Sequence, residues 1–267
     1  MLQKLTIYIL ALLLFSCEKI IDLNLKNAPQ RIVIEGTITD KEKQCYVFIS
    51  STQTIDEINR FEGVQGGAVS ITDSRNNTYR LTEVEKGVYY NESLKATAGE
   101  TYYLKVKVGN EIYTASSTMP PTKVNLDSIT VTYNTIYSNY TTTAHYTDPA
   151  NEENQYLFSI YKNRKKYNSF YVVNDEYSNG KTVKQNLPVF SKEKEDLIYK
   201  GDTVKVRMSC IDKNIYKYWY SLEAGARGGT GGPGSFGSPG NPVSNIHGGA
   251  LGYFSAQTNQ TQTSVVK

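Results

Sequence analysis

The sequence predicts a mostly β protein: two β-sandwich regions, immunoglobulin- or transthyretin-like, with one short helix near the C-terminus. Three observations lead there. Short runs rich in Val, Ile, Thr and Tyr alternate apolar with polar residues and are bounded by Gly, Asn and Asp turn signals. Tyrosine is the compositional outlier, 22 residues against one Trp and eight Phe, and Tyr and Thr suit half-buried pleated surfaces. Pro120-Pro121 interrupts the strand pattern near the middle of the chain, because proline cannot donate to a ladder.

Residues 29–119 carry seven strand-like runs. They begin with Arg31–Ile38, Cys45–Ser50 and Ala68–Asp73, and Asn76-Asn77 then turns the chain into Tyr79–Thr82. Gly87–Tyr90 follows, and Thr101–Val108 alternates cleanly before Gly109-Asn110 turns it into Glu111–Ser116. Seven short strands in a segment of this size fit one sandwich module. A second β region is expected over 122–267, with strands at Asp127–Tyr133, Thr141–Tyr146, Tyr156–Tyr161, Phe170–Val173 and Thr203–Cys210. Longer loops fall near 148–154 and 174–200.

The helix is expected over 212–224. Asp212 can cap it, and Ile215, Tyr218, Trp219 and Leu222 share one helical face. Gly225 supplies the stop, and residues 225–242 are too rich in Gly and Pro for regular structure. Ile246 and the run Gly249–Phe254 form a last apolar strand, expected to return and pair with the second sheet.

The N-terminus reads as an export signal. Lys4 precedes an apolar run, Leu5–Phe15, which suits a signal peptide and is short for a membrane span. It ends in Leu14-Phe15-Ser16-Cys17, which resembles the lipobox of bacterial lipoproteins, although Phe15 is bulkier than the usual occupant. Cleavage after residue 16 would leave Cys17 as a lipidated N-terminus on a tether over 17–28. Each buried acyl methylene adds about 0.8 kcal/mol of anchoring. The alternative is a secreted protein in which Cys17 is an ordinary thiol. Glu18 and Asp22 resemble, weakly, the acidic surface-export signal of Bacteroidota lipoproteins, and a plain tether fits nearly as well.

Removing residues 1–16 leaves 28 basic against 26 acidic residues with no dense basic run, so nothing in the charge balance argues for nucleic acid. Cys45 and Cys210 remain after lipidation of Cys17. Two buried thiols are expected, with a disulfide as the alternative in an oxidising compartment.

Four features together resemble a large family of outer-membrane lipoproteins of Bacteroidota carrying a domain of unknown function. They are the Ser16-Cys17-Glu18-Lys19-Ile20-Ile21-Asp22 start, the Ile34-Glu35-Gly36 strand, the Ser117–Pro121 boundary and the ending Asn241-Pro242-Val243-Ser244-Asn245-Ile246 to Gly249–Phe254. The resemblance spans nearly the whole mature chain, and the ending is its most specific part. It implies an accessory role beside a TonB-dependent receptor, because relatives are commonly paired with one. It supplies no catalytic residues. The loop Asn174–Gly180 departs from it, standing where many relatives are more acidic.

Several side chains remain as candidates. Tyr133, Tyr137, Tyr140 and Tyr146 form the densest aromatic stretch and could present a ligand platform, although alternating Tyr in strands usually packs a sandwich. Asp175, Glu176 and Asn179 precede Gly180 and could hold calcium. Their spacing is not that of an EF-hand loop, so a polar hairpin turn is the expectation. Asp127-Ser128-Ile129 and Asp202-Thr203-Val204 resemble a Bacteroidota O-glycosylation signal at Ser128 and Thr203. His145 and His247 lack metal-ligand spacing, and no nucleophile-elbow motif supports a triad. The Gly-rich stretch is not a P-loop, since no Lys follows its glycines.

The expected function is therefore that of a non-enzymatic outer-membrane lipoprotein serving a TonB-dependent uptake system. It has no cofactor beyond its lipid. An adhesin or envelope scaffold is the alternative, and a hydrolase using His145 or His247 ranks last.

Overall fold

The computed structural model describes residues 29–53, 62–135, 138–189, 191, 193–226 and 240–267. Residues 1–28, expected above to be a signal peptide and a tether beginning at Cys17, lie outside the described residues, as do Tyr137 and most of the Gly/Pro-rich stretch.

The first sandwich is one continuous ladder folded over on itself. Its strands are β1 (Ile32–Thr39), β2 (Cys45–Ser51), β3 (Ala68–Asp73), β4 (Thr78–Glu85), β5 (Val88–Asn91), β6 (Thr101–Val108) and β7 (Glu111–Thr118). The first half of β4 pairs with β3, and its second half pairs with β5 through a bulge between Glu83 and Glu85. β4 thus carries the chain from one layer to the other, as bulged strands do. Alternation decides which side chains enter the core. Tyr102, Leu104 and Val106 of β6 are buried while Tyr103, Lys105 and Lys107 face out.

The second sandwich has three strands against four, the immunoglobulin-like arrangement. β8 (Leu126–Asn134), β9 (Asn139–Thr147) and β12 (Thr182–Leu187) make one sheet. β10 (Gln155–Lys162), β11 (Lys165–Asn174), β13 (Thr203–Ile211) and β16 (Gln260–Val265) make the other. Tyr146, Tyr156, Phe158, Ile160 and Met208 fill the space between them, each 1% exposed or less.

One expectation is corrected by the strand pairing. Between β13 and β16 the chain forms helix α1 (Lys213–Ala226), β14 (Ile246–His247) and β15 (Leu251–Gln257). β14 joins β7, and β15 runs parallel to β1. The apolar ending therefore completes the first sandwich and not the second, and residues 122–267 are not a single β region. Only β16 returns to the second sheet, antiparallel to β13.

The parallel pairing sets Ile34 beside Gly252, Glu35 beside Tyr253 and Gly36 beside Phe254, so two sequence motifs more than two hundred residues apart form one ladder. A Cβ on Gly36 would lie 2.8 Å from the Phe254 ring, and one on Gly252 would lie 1.9 Å from the Ile34 carbonyl oxygen. Both glycines are needed for the strands to approach. Asn245 fixes the return: its Nδ2 donates to the Ser116 and Phe254 carbonyls, and its Oδ1 accepts the Phe254 N–H. This accounts for the final Asn of the Asn-Pro-x-Ser-Asn ending.

α1 starts as expected one residue after Asp212, whose Oδ1 accepts the N–H groups of Asn214 and Ile215. The other oxygen of Asp212 accepts the Ser117 hydroxyl and the Thr118 N–H, which ties the helix to the end of β7. Ile215 packs with Leu157, Val172 and Ile211 of the second sandwich, while Tyr253 of the first joins the same cluster. Among the described residues no helix is long and apolar enough to cross a membrane.

Candidate binding cleft

Covering a sheet on one face leaves the other face to water unless something else sits there. β10 is covered on both faces, with Gln155–Tyr161 all buried, while β2 turns half-buried Tyr46 and exposed Phe48 outward. These outer faces meet across a cleft of about 660 Å³ between the two sandwiches. β1 contributes Thr37 and Thr39, β15 contributes Tyr253 and Gln257, and α1 closes one end with Trp219 and Leu222. From the second sandwich come Leu157 and Ser159, Lys166 and Phe170, and Arg207 and Ser209.

Its walls are aromatic. Trp219 lies 4.8 Å from Phe170, 5.3 Å from Tyr253 and 5.5 Å from Tyr218, ring centre to ring centre. Tyr46 and Phe48 stack on the facing sheet at 6.2 Å. The floor is amide-rich and hydrogen-bonded. Asn259 Nδ2 donates to Gln44 Oε1 at 2.7 Å, and Asn259 N–H donates to Asp40, which also holds Lys123 at 2.8 Å. Gln257 Nε2 donates to Ser209.

Three buried polar atoms in the lining have no partner among the described residues: Arg207 Nε, Trp219 Nε1 and Asn259 Oδ1. Asn259 itself is only 8% exposed. An unpartnered buried donor or acceptor costs about 1–3 kcal/mol, so a molecule offering partners is favoured here. The charges are also unbalanced. Partial burial lowers the Lys166 ammonium, although the residue still reaches solvent, with Arg207 pushing the same way and Glu35 opposing. Burial raises the Glu35 carboxyl, with Lys166 opposing. Lys166 and Arg207 are the two cations among the described lining residues, and neither is in an ion pair among the described residues.

The sequence matches a described family, the domain of unknown function DUF4249, over residues 18–263. The chain belongs to the DUF4249 family. No curated protein matches this DUF4249 chain significantly. Among solved structures it is similar to a two-fibronectin-type-III-domain segment of chicken tenascin, at 12% identity and a TM-score of 0.22, covering 68% of this chain and 90% of that one. It is also similar to a tetra-tandem repeat in the extending region of a large adhesion protein, at 11% identity and a TM-score of 0.21, covering 87% of this chain and 48% of that one.

The tyrosine stretch of this DUF4249 chain does not converge on one surface. Tyr133 is 55% exposed and meets Tyr140 edge-on at 5.3 Å. Tyr146 is 1% exposed and packs on Tyr156 at 4.9 Å in the second core. It is withdrawn from the platform, because its place in the β9 alternation turns it inward.

Asp175 and Asn179 act as loop anchors. Asp175 Oδ2 accepts the Asn154 N–H, and Asn179 bridges Asn151 and Glu152; Glu176 is exposed. Nearby Asp148, Glu152 and Asn154 each hold an unpartnered buried oxygen. Even so, among the described residues no three His, Cys, Asp or Glu side chains are grouped as metal ligands.

His145 on β9 meets the Thr130 hydroxyl at 2.9 Å, and His247 is exposed on β14. Ser128 is exposed, and Thr203 is half-buried at the start of β13. Cys45 and Cys210 are free thiols, each buried in a different sandwich core.

The cleft is not legible in the sequence because its residues come from separate strands, loops and the helix. One signal did exist: Tyr156–Tyr161 reads Tyr-Leu-Phe-Ser-Ile-Tyr, apolar on both faces, which marks a strand covered on both sides.

Proposed function

We propose that this chain is a non-enzymatic binding protein of the bacterial outer membrane. It is anchored by lipid on Cys17 and acts as a ligand- or receptor-binding accessory of a TonB-dependent uptake system. The observation that carries the binding role is the aromatic cleft with its three unpartnered buried polar atoms. An ordinary contact between two sandwiches closes such groups against each other, whereas a binding site keeps them for an incoming molecule. The lipobox-like Leu14–Cys17 run supports the anchor. The resemblance of the Ser16–Asp22 start and the 241–254 ending to Bacteroidota lipoproteins supports the receptor partnership.

The test is co-purification of the lipidated protein from native outer membranes. A TonB-dependent receptor in near-stoichiometric amount is expected. Recovery of the protein alone, or with unrelated envelope proteins, would overturn the accessory role in favour of an adhesin or scaffold.

A further inference from the structure

We propose that the cleft seats a carboxylate-bearing ligand with a flat face, the carboxylate on Lys166 and Arg207 and the flat face on the aromatic wall around Trp219. The inference rests on the reading of the cleft as a binding site and goes further by naming the ligand chemistry. Charge gives the first part of the argument. Among the described lining residues Lys166 and Arg207 are charged and no Asp or Glu is present, so the lining is cationic, with Glu35 acting on Lys166 from outside it. Arg207 is held from behind, its guanidinium 5.1 Å from the Tyr161 ring centre, and its Nε lacks a partner. A guanidinium fork in the lining matches the two oxygens of a carboxylate.

The second part is the hydrogen-bond inventory. Trp219 Nε1 is a donor only and Asn259 Oδ1 is an acceptor only, and both lack partners. A complementary ligand therefore carries a further acceptor, and a hydroxyl or N–H to give. A bare hydrocarbon satisfies none of these atoms. The third part is shape: Trp219, Tyr253, Tyr46 and Phe48 line the cleft, and aromatic faces take sugar rings or planar side chains. An acidic saccharide and a peptide ending in an aromatic residue share this chemistry.

Trp219 is the only tryptophan in the chain, so intrinsic fluorescence of the lipidated protein in detergent reports the cleft directly. Two matched pairs serve as probes: trigalacturonate with its methyl ester, and Gly-Gly-Phe with its C-terminal amide. At least one acid is expected to change Trp219 emission saturably, with its neutral counterpart binding about tenfold or more weakly. Affinity for that acid is expected to fall with rising salt. Lys166→Met and Arg207→Gln each weaken the acid about tenfold, while Lys107→Met on the outer face of β6 leaves it unchanged.

The salt dependence of the wild-type protein decides the matter if either cleft variant fails to fold. A neutral probe bound as tightly as its acid overturns the anion seat and leaves the cleft a binding site. No saturable response from either pair overturns the ligand class, while receptor co-purification still tests the accessory role separately.

Discussion

Replacing Gly252 by Ala is expected to break the closure of the first sandwich. Gly252 sits at φ +99°, and an added Cβ would lie 1.9 Å from the Ile34 carbonyl oxygen and 2.8 Å from its carbon. Both atoms are backbone, so no side-chain rotation relieves the overlap, and β15 must move off β1. The disfavoured φ alone costs about 1–2 kcal/mol, and overpacking adds about 1–3 kcal/mol. At about 2–4 °C per kcal/mol for a chain of this size, the melting temperature drops by about 4–20 °C.

Gly249→Ala is the matched control. Its φ is +91°, but nothing lies within 4 Å of the added Cβ, so only the backbone cost of about 1–2 kcal/mol applies. Thermal melts followed by circular dichroism and by Trp219 fluorescence separate the two variants. Gly252→Ala should melt well below Gly249→Ala. If the two melt within a degree or two of each other, the close parallel approach of β1 and β15 is wrong.

Other perturbations follow from the same packing. Tyr146→Ala empties a core position 1% exposed and should cost about 3–5 kcal/mol in urea unfolding. Tyr133→Ala on β8, at 55% exposure, should stay within about 1 kcal/mol; equal losses would contradict the inward placement of Tyr146. Asp212→Ala removes a helix cap and strands Ser117, for a loss of about 2–3 kcal/mol, whereas Asp212→Asn should retain most of the stability. Burial pushes the Cys45 thiol up to about 12 and also raises Cys210, so neither should react with a thiol reagent in the native protein within minutes. Both should react once it is denatured, and rapid native labelling would show that the cores are not closed over them.

What the sequence made legible is local. Alternation in Thr101–Val108 and the cap and apolar face of 212–224 depend on near neighbours, and the structure places β6 and α1 there. β12 and β16 were not anticipated. Thr182–Leu187 and Gln260–Val265 are polar runs on sheet edges with little core to fill, so periodicity carries almost no signal in them. The destination of β15 was misjudged for a different reason. An apolar strand shows that it will be covered, not by what, and the partner Ile34–Gly36 lies at the far end of the chain.

The cleft was the least legible feature. Lys166, Arg207 and Asn259 look like ordinary solvated residues until the return of β15 and β16 brings the two sandwiches together. Even Trp219, read correctly as part of a helical face, gave no hint that this face borders a cavity.

The most direct test of the cleft as the seat of function is complementation. A deletion strain would carry the wild-type chain, Lys166→Met/Arg207→Gln or Lys107→Met, and grow on the nutrient of any receptor that the proposed co-purification recovers. Equal surface amounts of each protein would be verified by immunoblot. Wild type and Lys107→Met should restore growth, and the cleft double variant should not. Full restoration by the cleft double variant would contradict the account.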